Sequence, residues 1–136
     1  MKDCIYNFGL LILRFVAGGM MFVLHGMTKI EMIIKGDFSA FPNPIGLGSA
    51  LSLYLSGLAE SLIAVFLVLG FLIRFSAFIL AFNMLVAMYW LHSVGNGGLE
   101  LPTIYFAMYV VIMILGAGNI SIDSSIERRK FLKNKL

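Results

Sequence analysis

Residues 5–27 read IYNFGLLILRFVAGGMMFVLHGM, a long apolar run broken by one formal charge, Arg14. A helix rises about 1.5 Å per residue and the hydrocarbon core of a bilayer is about 30 Å thick, so roughly 20 such residues cross it. The run is long enough. It is also too long for the apolar part of a cleaved signal peptide, it carries Arg14, and no A-x-A site follows, so it is expected to stay as a permanent helix.

Working outward, three further runs have the same character: residues 47–71, which contain Glu60, residues 75–91, and residues 101–117. Asn43-Pro44 with Gly46 and Gly48 marks a turn before the second run. The link from Gly70 to Arg74 is tight enough to make runs two and three an antiparallel hairpin. Gly95-Asn96-Gly97-Gly98 is a flexible loop, and Gly116-Ala117-Gly118-Asn119 ends the fourth run. The expectation is an all-α fold: an integral membrane four-helix bundle over residues 1–123, with a basic cytoplasmic tail over residues 124–136.

Composition agrees. Apolar residues make up 60% of the 136, charged residues only 12%, and mean hydropathy is +0.97. Soluble domains carry about 25% charged residues. These values exclude a soluble globular enzyme, a disordered chain and a nucleic-acid-binding module. The single Cys4 forms no internal disulfide, and there is no CxxC pair.

The positive charges set the expected topology. Lys2, Arg74, Arg128, Arg129, Lys130, Lys133 and Lys135 fall on one side, and Lys29 and Lys35 on the other. This places both termini in the cytoplasm. The outward segment 29–46 mixes Ile30, Met32, Ile33 and Ile34 with Lys29, Glu31 and Lys35, followed by Phe38 and Phe41. It reads as a short outer interfacial or re-entrant piece after helix 1. In the tail, Ser124 and Glu127 have capping-box spacing, and the basic residues are suited to anionic headgroups.

Arg14 and Glu60 do not belong in lipid, where each charge costs roughly 2.5–3.5 kcal/mol. Both are expected to face the bundle interior, and the simplest arrangement pairs them. Arg14, Gly18, Met21, His25 and Lys29 recur at helical spacing as one stripe, and Ser49, Ser52, Ser56 and Glu60 as another. Asn83 is the only amide at buried depth on the third span. With His92 and with Glu100 and Thr103 at the outer end, these residues suggest a polar funnel leading to a buried ion pair. A metal site from His25, His92 and Glu100 lacks HxxxH or ExxH spacing. The methionines read as packing. Tyr54, Tyr89, Trp90, Tyr105 and Tyr109 read as interface anchors or bundle packing.

In order, Leu11-Ile-Leu-Arg14-Phe, Leu24-His25-Gly26-Met27-Thr28-Lys29, Gly57-Leu58-Ala59-Glu60, Leu69-Gly70-Phe71-Leu72-Ile73-Arg74, His92, Glu100 and Gly118-Asn119-Ile120-Ser121-Ile122-Asp123 resemble the DoxX family across nearly the whole chain. The resemblance implies a small four-helix protein of the bacterial inner membrane. Some members are described as membrane subunits of a thiosulfate:quinone oxidoreductase. Others are associated with thiol and oxidative-stress defence alongside partner proteins. With no intrinsic cofactor signature, a redox role needs a quinone or a partner subunit to carry electrons.

Three readings follow. In the first the chain is a quinone-associated subunit whose pocket draws on Arg14, His25, Lys29, Ser56, Glu60, Asn83, His92 and Glu100. Arg14 or His25 donates to the quinone oxygens, and Glu60 or Glu100 relays protons. In the second it is a non-enzymatic scaffold or assembly partner. In the third it binds or transports a small anion or lipid, with Arg14 and Lys29 meeting the anionic group; four short helices leave little room for alternating access unless the protein forms a homo-oligomer.

Overall fold

The structure is a computed structural model and describes residues 2–133. Lys135, counted above among the tail charges, lies outside the described residues. All regular structure among these residues is helical. We number the helices α1 (Asp3–Lys35), α2 (Ser49–Leu69), α3 (Ile73–Ser93), α4 (Glu100–Leu115) and α5 (Ile122–Lys133). By length and composition α1, α2 and α3 are each able to cross a membrane, and α4 is a shorter apolar helix of 16 residues. Large apolar side chains such as Phe8, Phe15, Val23, Leu62, Phe78 and Ile114 stand exposed along the outer surface, as lipid-facing residues do. The chain is a membrane protein.

α1 is one rod of 33 residues, about 50 Å long. It runs past the expected end of the first span, so residues 29–35 extend the helix instead of forming a separate interfacial piece. The irregular part is confined to residues 36–48. This makes physical sense: Met27–Lys35 has no breaker, and Lys35 ties back to Glu31 at 2.6 Å one turn earlier. Gly36, with φ of 71°, ends it.

α1 and α2 contain wide π-helical turns at Phe15–Gly19, Phe22–Gly26 and Ala59–Ile63. Side-chain hydroxyls accompany two of them. Ser61 Oγ donates to the Gly57 carbonyl at 2.5 Å, and Thr28 Oγ1 to the Leu24 carbonyl at 3.2 Å. Such back-bonding competes with the regular ladder and loosens it. The turns lie beside Arg14, around His25 and around Glu60, where π turns commonly serve function.

The antiparallel register of α1 against α2 is set by close backbone approach. A Cβ on Gly18 would lie 2.7 Å from Val68 Cγ2, and one on Gly26 would collide with the Glu60 carbonyl. Gly26 is therefore level with Glu60, whereas Arg14 is level with Gly70, against which its guanidinium rests. Gly26 and Arg14 are twelve residues apart on the same rod, roughly 18 Å along its axis. The expected Arg14–Glu60 pair does not form. Aligning the two spans by their apolar midpoints overlooks the register that the glycine contacts impose.

α3 and α4 form the other half of the bundle. The small residues Ser76, Ala77 and Ala81 let α3 pack closely, and Leu80, Tyr109 and Ile112 fill the interior with Met21 and Leu67. Tyr109 joins the halves by donating its hydroxyl hydrogen to the Ala17 carbonyl at 3.1 Å.

Candidate functional site

Two polar centres lie at different depths of the bundle. Near the middle of α2 and α3, Glu60 is 4% exposed and holds three partners. Lys29 Nζ pairs with Oε2. Ser56 Oγ donates to Oε1 at 3.1 Å and Asn83 Nδ2 to the same oxygen at 2.7 Å. Ser56 stands one turn before Glu60 on α2, and Asn83 crosses from α3. A buried carboxylate is tolerated only when its lone pairs are occupied, and here both oxygens are.

This centre forms one wall of a cavity of about 500 Å³ between α2 and α3. Phe41, Pro42, Pro44 and Ile45 of the 36–48 loop cover one side, and Ile79, Phe82, Val86 and Trp90 line the α3 side. Leu55, Leu58 and Phe82 line it while remaining about half exposed on the lipid-facing surface, so the cavity opens sideways toward acyl chains. Ser52 also lines it. Its residue is 6% exposed and its hydroxyl has no hydrogen-bond partner among the described residues. Few buried polar atoms go unpaired, and one that does, lining a cavity, marks a place for a ligand atom.

The remaining expected site residues lie elsewhere. His25 is half-buried and meets Tyr105 of α4 edge-on, ring centroids 6.1 Å apart, and does not line the cavity. His92 and Glu100 are exposed at the ends of α3 and α4, and neither lines the cavity. The polar funnel does not form: His92 lies in the last turn of α3 and Glu100 at the first residue of α4, both exposed. Among the described residues His25, His92 and Glu100 do not gather into a group able to hold a metal. From the sequence alone Trp90 reads as an anchor or packing residue and Pro44 as part of a turn, and nothing marks Phe82 or Pro42 as site residues. For Trp90, its position two turns beyond Asn83 on one face of α3 was the available signal.

Arg14 belongs to the second centre, at the end carrying the termini. It is 1% exposed. Its Nη1 donates to the Ala117 carbonyl at 3.0 Å and its Nη2 to the Ile120 carbonyl at 2.5 Å. These carbonyls lie just past the C-terminus of α4, where partial negative charge collects. The same loop fastens α1 and α3. Asn119 N–H donates to Asn7 Oδ1 at 2.7 Å, and Asp123 accepts Leu72 N–H and Ile73 N–H, both at 2.9 Å, at the start of α3. Its own N–H meets the Gly70 carbonyl at 3.1 Å. α5 is capped by Ser121, whose Oγ accepts Ser124 N–H at 3.1 Å. The expected Ser124 cap is displaced by three residues because the helix begins at Ile122.

The fold and its two centres define a small helical membrane protein with a laterally open, polar-walled cavity and a tied loop at the opposite end. The family model DoxX matches residues 9–93, the part that holds Arg14, Lys29, Glu60 and Asn83. An uncharacterized protein of Haemophilus influenzae is 30% identical, over 76% of this chain and 81% of its own. The chain belongs to the DoxX family. No solved structure gives a significant match.

Proposed function

We propose that this chain is a quinone-associated membrane subunit of a redox or thiol–sulfur system, and that the cavity between α2 and α3 receives the quinone headgroup. The observation that carries the reading is the lateral opening combined with a polar wall: Ser52, Ser56, Glu60, Asn83 and Lys29 at one end of an otherwise apolar space. A quinone has a flat ring, two carbonyl oxygens that need donors and a long apolar tail. The unpartnered Ser52 hydroxyl and the Lys29 ammonium are the donors on hand. Phe82 and Trp90 give the ring apolar faces, and the tail leaves between half-exposed Leu55 and Phe82 into lipid. A bound quinone supplies two-electron, two-proton redox chemistry. Glu60, the only carboxylate lining the cavity among the described residues, is the group placed to hold or pass a proton. Arg14 and His25, expected as donors, take no part in this reading. Electrons come from a partner subunit, since the sequence has one cysteine and no dithiol.

The reading places the protein in the bacterial inner membrane with both termini cytoplasmic, which puts the cavity in the outer half of the bilayer. A second reading, a non-enzymatic scaffold, is favoured by Arg14, which is engaged in holding a loop.

The test uses Trp90, the only tryptophan in the chain. A short-chain quinone added to the protein in mild detergent is expected to quench its fluorescence saturably, and Ser52→Ala and Asn83→Leu should weaken that binding. Absence of saturable quenching, together with no quinone in an organic extract of the membrane-purified protein, would favour the scaffold.

A further inference from the structure

A second cavity, of about 550 Å³, lies at the end that carries the termini. It is bounded by α1, the end of α2 and the first turns of α5. Leu11, Phe15, Val68, Leu69, Ile122 and Ile126 form apolar walls, and Arg14, Arg129, Ser121 and Ser125 supply the polar edge.

Three observations give it a ligand. Arg14 spends its Nη1 and Nη2 on loop carbonyls, but its Nε is buried with no partner among the described residues. A charged donor left unpaired in a buried place is costly, so an anion oxygen there is favoured. Arg129 is exposed at the same cavity and makes no hydrogen bond or ion pair among the described residues. Asp123, at the start of the same helix, is occupied by Leu72 N–H and Ile73 N–H, and no ion pair joins an acid to Arg129 among the described residues. Finally, the walls are apolar and partly exposed: Phe15 and Leu69 at 57% and 50%, on the surface that meets acyl chains. Two guanidinium groups beside an apolar, lipid-facing wall match a phosphate group carried on a fatty chain, and basic recesses between helices recognise such lipids.

We propose that this cavity is a binding site for the phosphate headgroup of an anionic phospholipid, with Arg14 Nε and Arg129 as donors and Phe15, Leu69 and Ile126 against the first acyl chain. The site is separate from the Glu60 cavity and stands whether or not that cavity takes a quinone.

The test is native mass spectrometry and lipid titration of the full chain, using phosphatidylglycerol, phosphatidylcholine and inorganic phosphate as probes. Arg129→Gln removes one donor without touching the loop, and Ser125→Trp fills the cavity from an exposed position. Wild-type protein should retain phosphatidylglycerol over phosphatidylcholine. Arg129→Gln should weaken that binding about fivefold, in line with one basic residue near an anionic surface, and Ser125→Trp should abolish it. Either variant binding phosphatidylglycerol as wild type does, with the helical content of both intact by circular dichroism, would overturn the proposal. So would retention of inorganic phosphate with no preference between the two lipids.

Discussion

Lys29 of α1 and Glu60 of α2 form an ion pair one turn beyond the point where Gly26 brings the two helix backbones together. The pair and the glycine contact are parts of one arrangement. The close approach puts the carboxylate within reach of the lysine, and the lysine compensates a charge that α2 would otherwise carry into an apolar interior. Their side chains are only 14% and 5% exposed.

Breaking the pair from one side is therefore expected to cost more than removing it. Lys29→Met leaves the carboxylate with only Ser56 and Asn83, and a buried ion pair robbed of one partner loses about 3 kcal/mol or more. The double variant Lys29→Met/Glu60→Gln removes both charges and should recover most of that loss. Thermal unfolding in detergent, compared across the double-mutant cycle, measures the coupling. A loss in the double variant equal to the sum of the two single losses would show that the charges do not depend on each other.

The glycine half of the arrangement has its own test. A methyl group on Gly26 meets the backbone of Glu60 and must push α1 from α2. Overpacking of this kind costs about 1–3 kcal/mol. Gly9, on the same helix, has nothing within 4 Å of a Cβ. Gly9→Ala is expected to raise stability by about 0.5–1 kcal/mol through helix propensity, and Gly26→Ala to lower it, as read from the two melting temperatures.

Much of this was legible in the sequence. The apolar runs gave the helices, because lipid demands long uninterrupted apolar segments and the glycine clusters punctuate them. The stripe through Arg14, Gly18 and Met21 is indeed buried, with His25 and Lys29 half-buried. Helical phase along a single rod is a local property. The depth of one rod against another is not. It depends on which small residues touch and on which loop carbonyls are free to receive a guanidinium. Arg14 therefore belongs to Ala117 and Ile120 and not to Glu60, and Lys29, expected in the pocket but not as an ion-pair partner, is the one that pairs with Glu60. The cavity walls were hidden for a related reason: the 36–48 loop has no periodicity from which its position could be read.

The Arg14 contacts predict a difference between two cations. Lysine keeps the charge but has no fork, and it cannot reach the Ala117 and Ile120 carbonyls together as the guanidinium does. Arg14→Lys should loosen residues 116–123 while leaving the Lys29–Glu60 end undisturbed. Hydrogen exchange resolved along the chain is the measurement. Faster exchange is expected at Asn119, whose N–H bonds to Asn7, and at Leu72 and Ile73, whose N–H groups depend on Asp123 in the first turn of α5, directly after that loop. Unchanged exchange at all three would mean that Arg14 does not hold the loop.

Leu72 supplies a prediction in the stabilising direction. It is the only non-glycine residue among those described with positive φ, at 46°, a conformation that costs an L-residue roughly 1–2 kcal/mol. Its side chain is half exposed, so little packing is lost by removing it. What holds the strained backbone is Asp123, whose two carboxylate oxygens take the N–H groups of Leu72 and Ile73. Leu72→Gly keeps both hydrogen bonds and relieves the strain, whereas Leu72→Ala keeps the strain. Glycine should therefore be more stable than alanine at this position by about 1 kcal/mol, contrary to the usual order in helical segments. In an Asp123→Ala background the turn is free to relax, and the advantage of glycine should shrink. Melting temperatures of Leu72→Gly and Leu72→Ala in both backgrounds measure the coupling, and an undiminished glycine advantage without the carboxylate would show that Asp123 does not hold Leu72 in place.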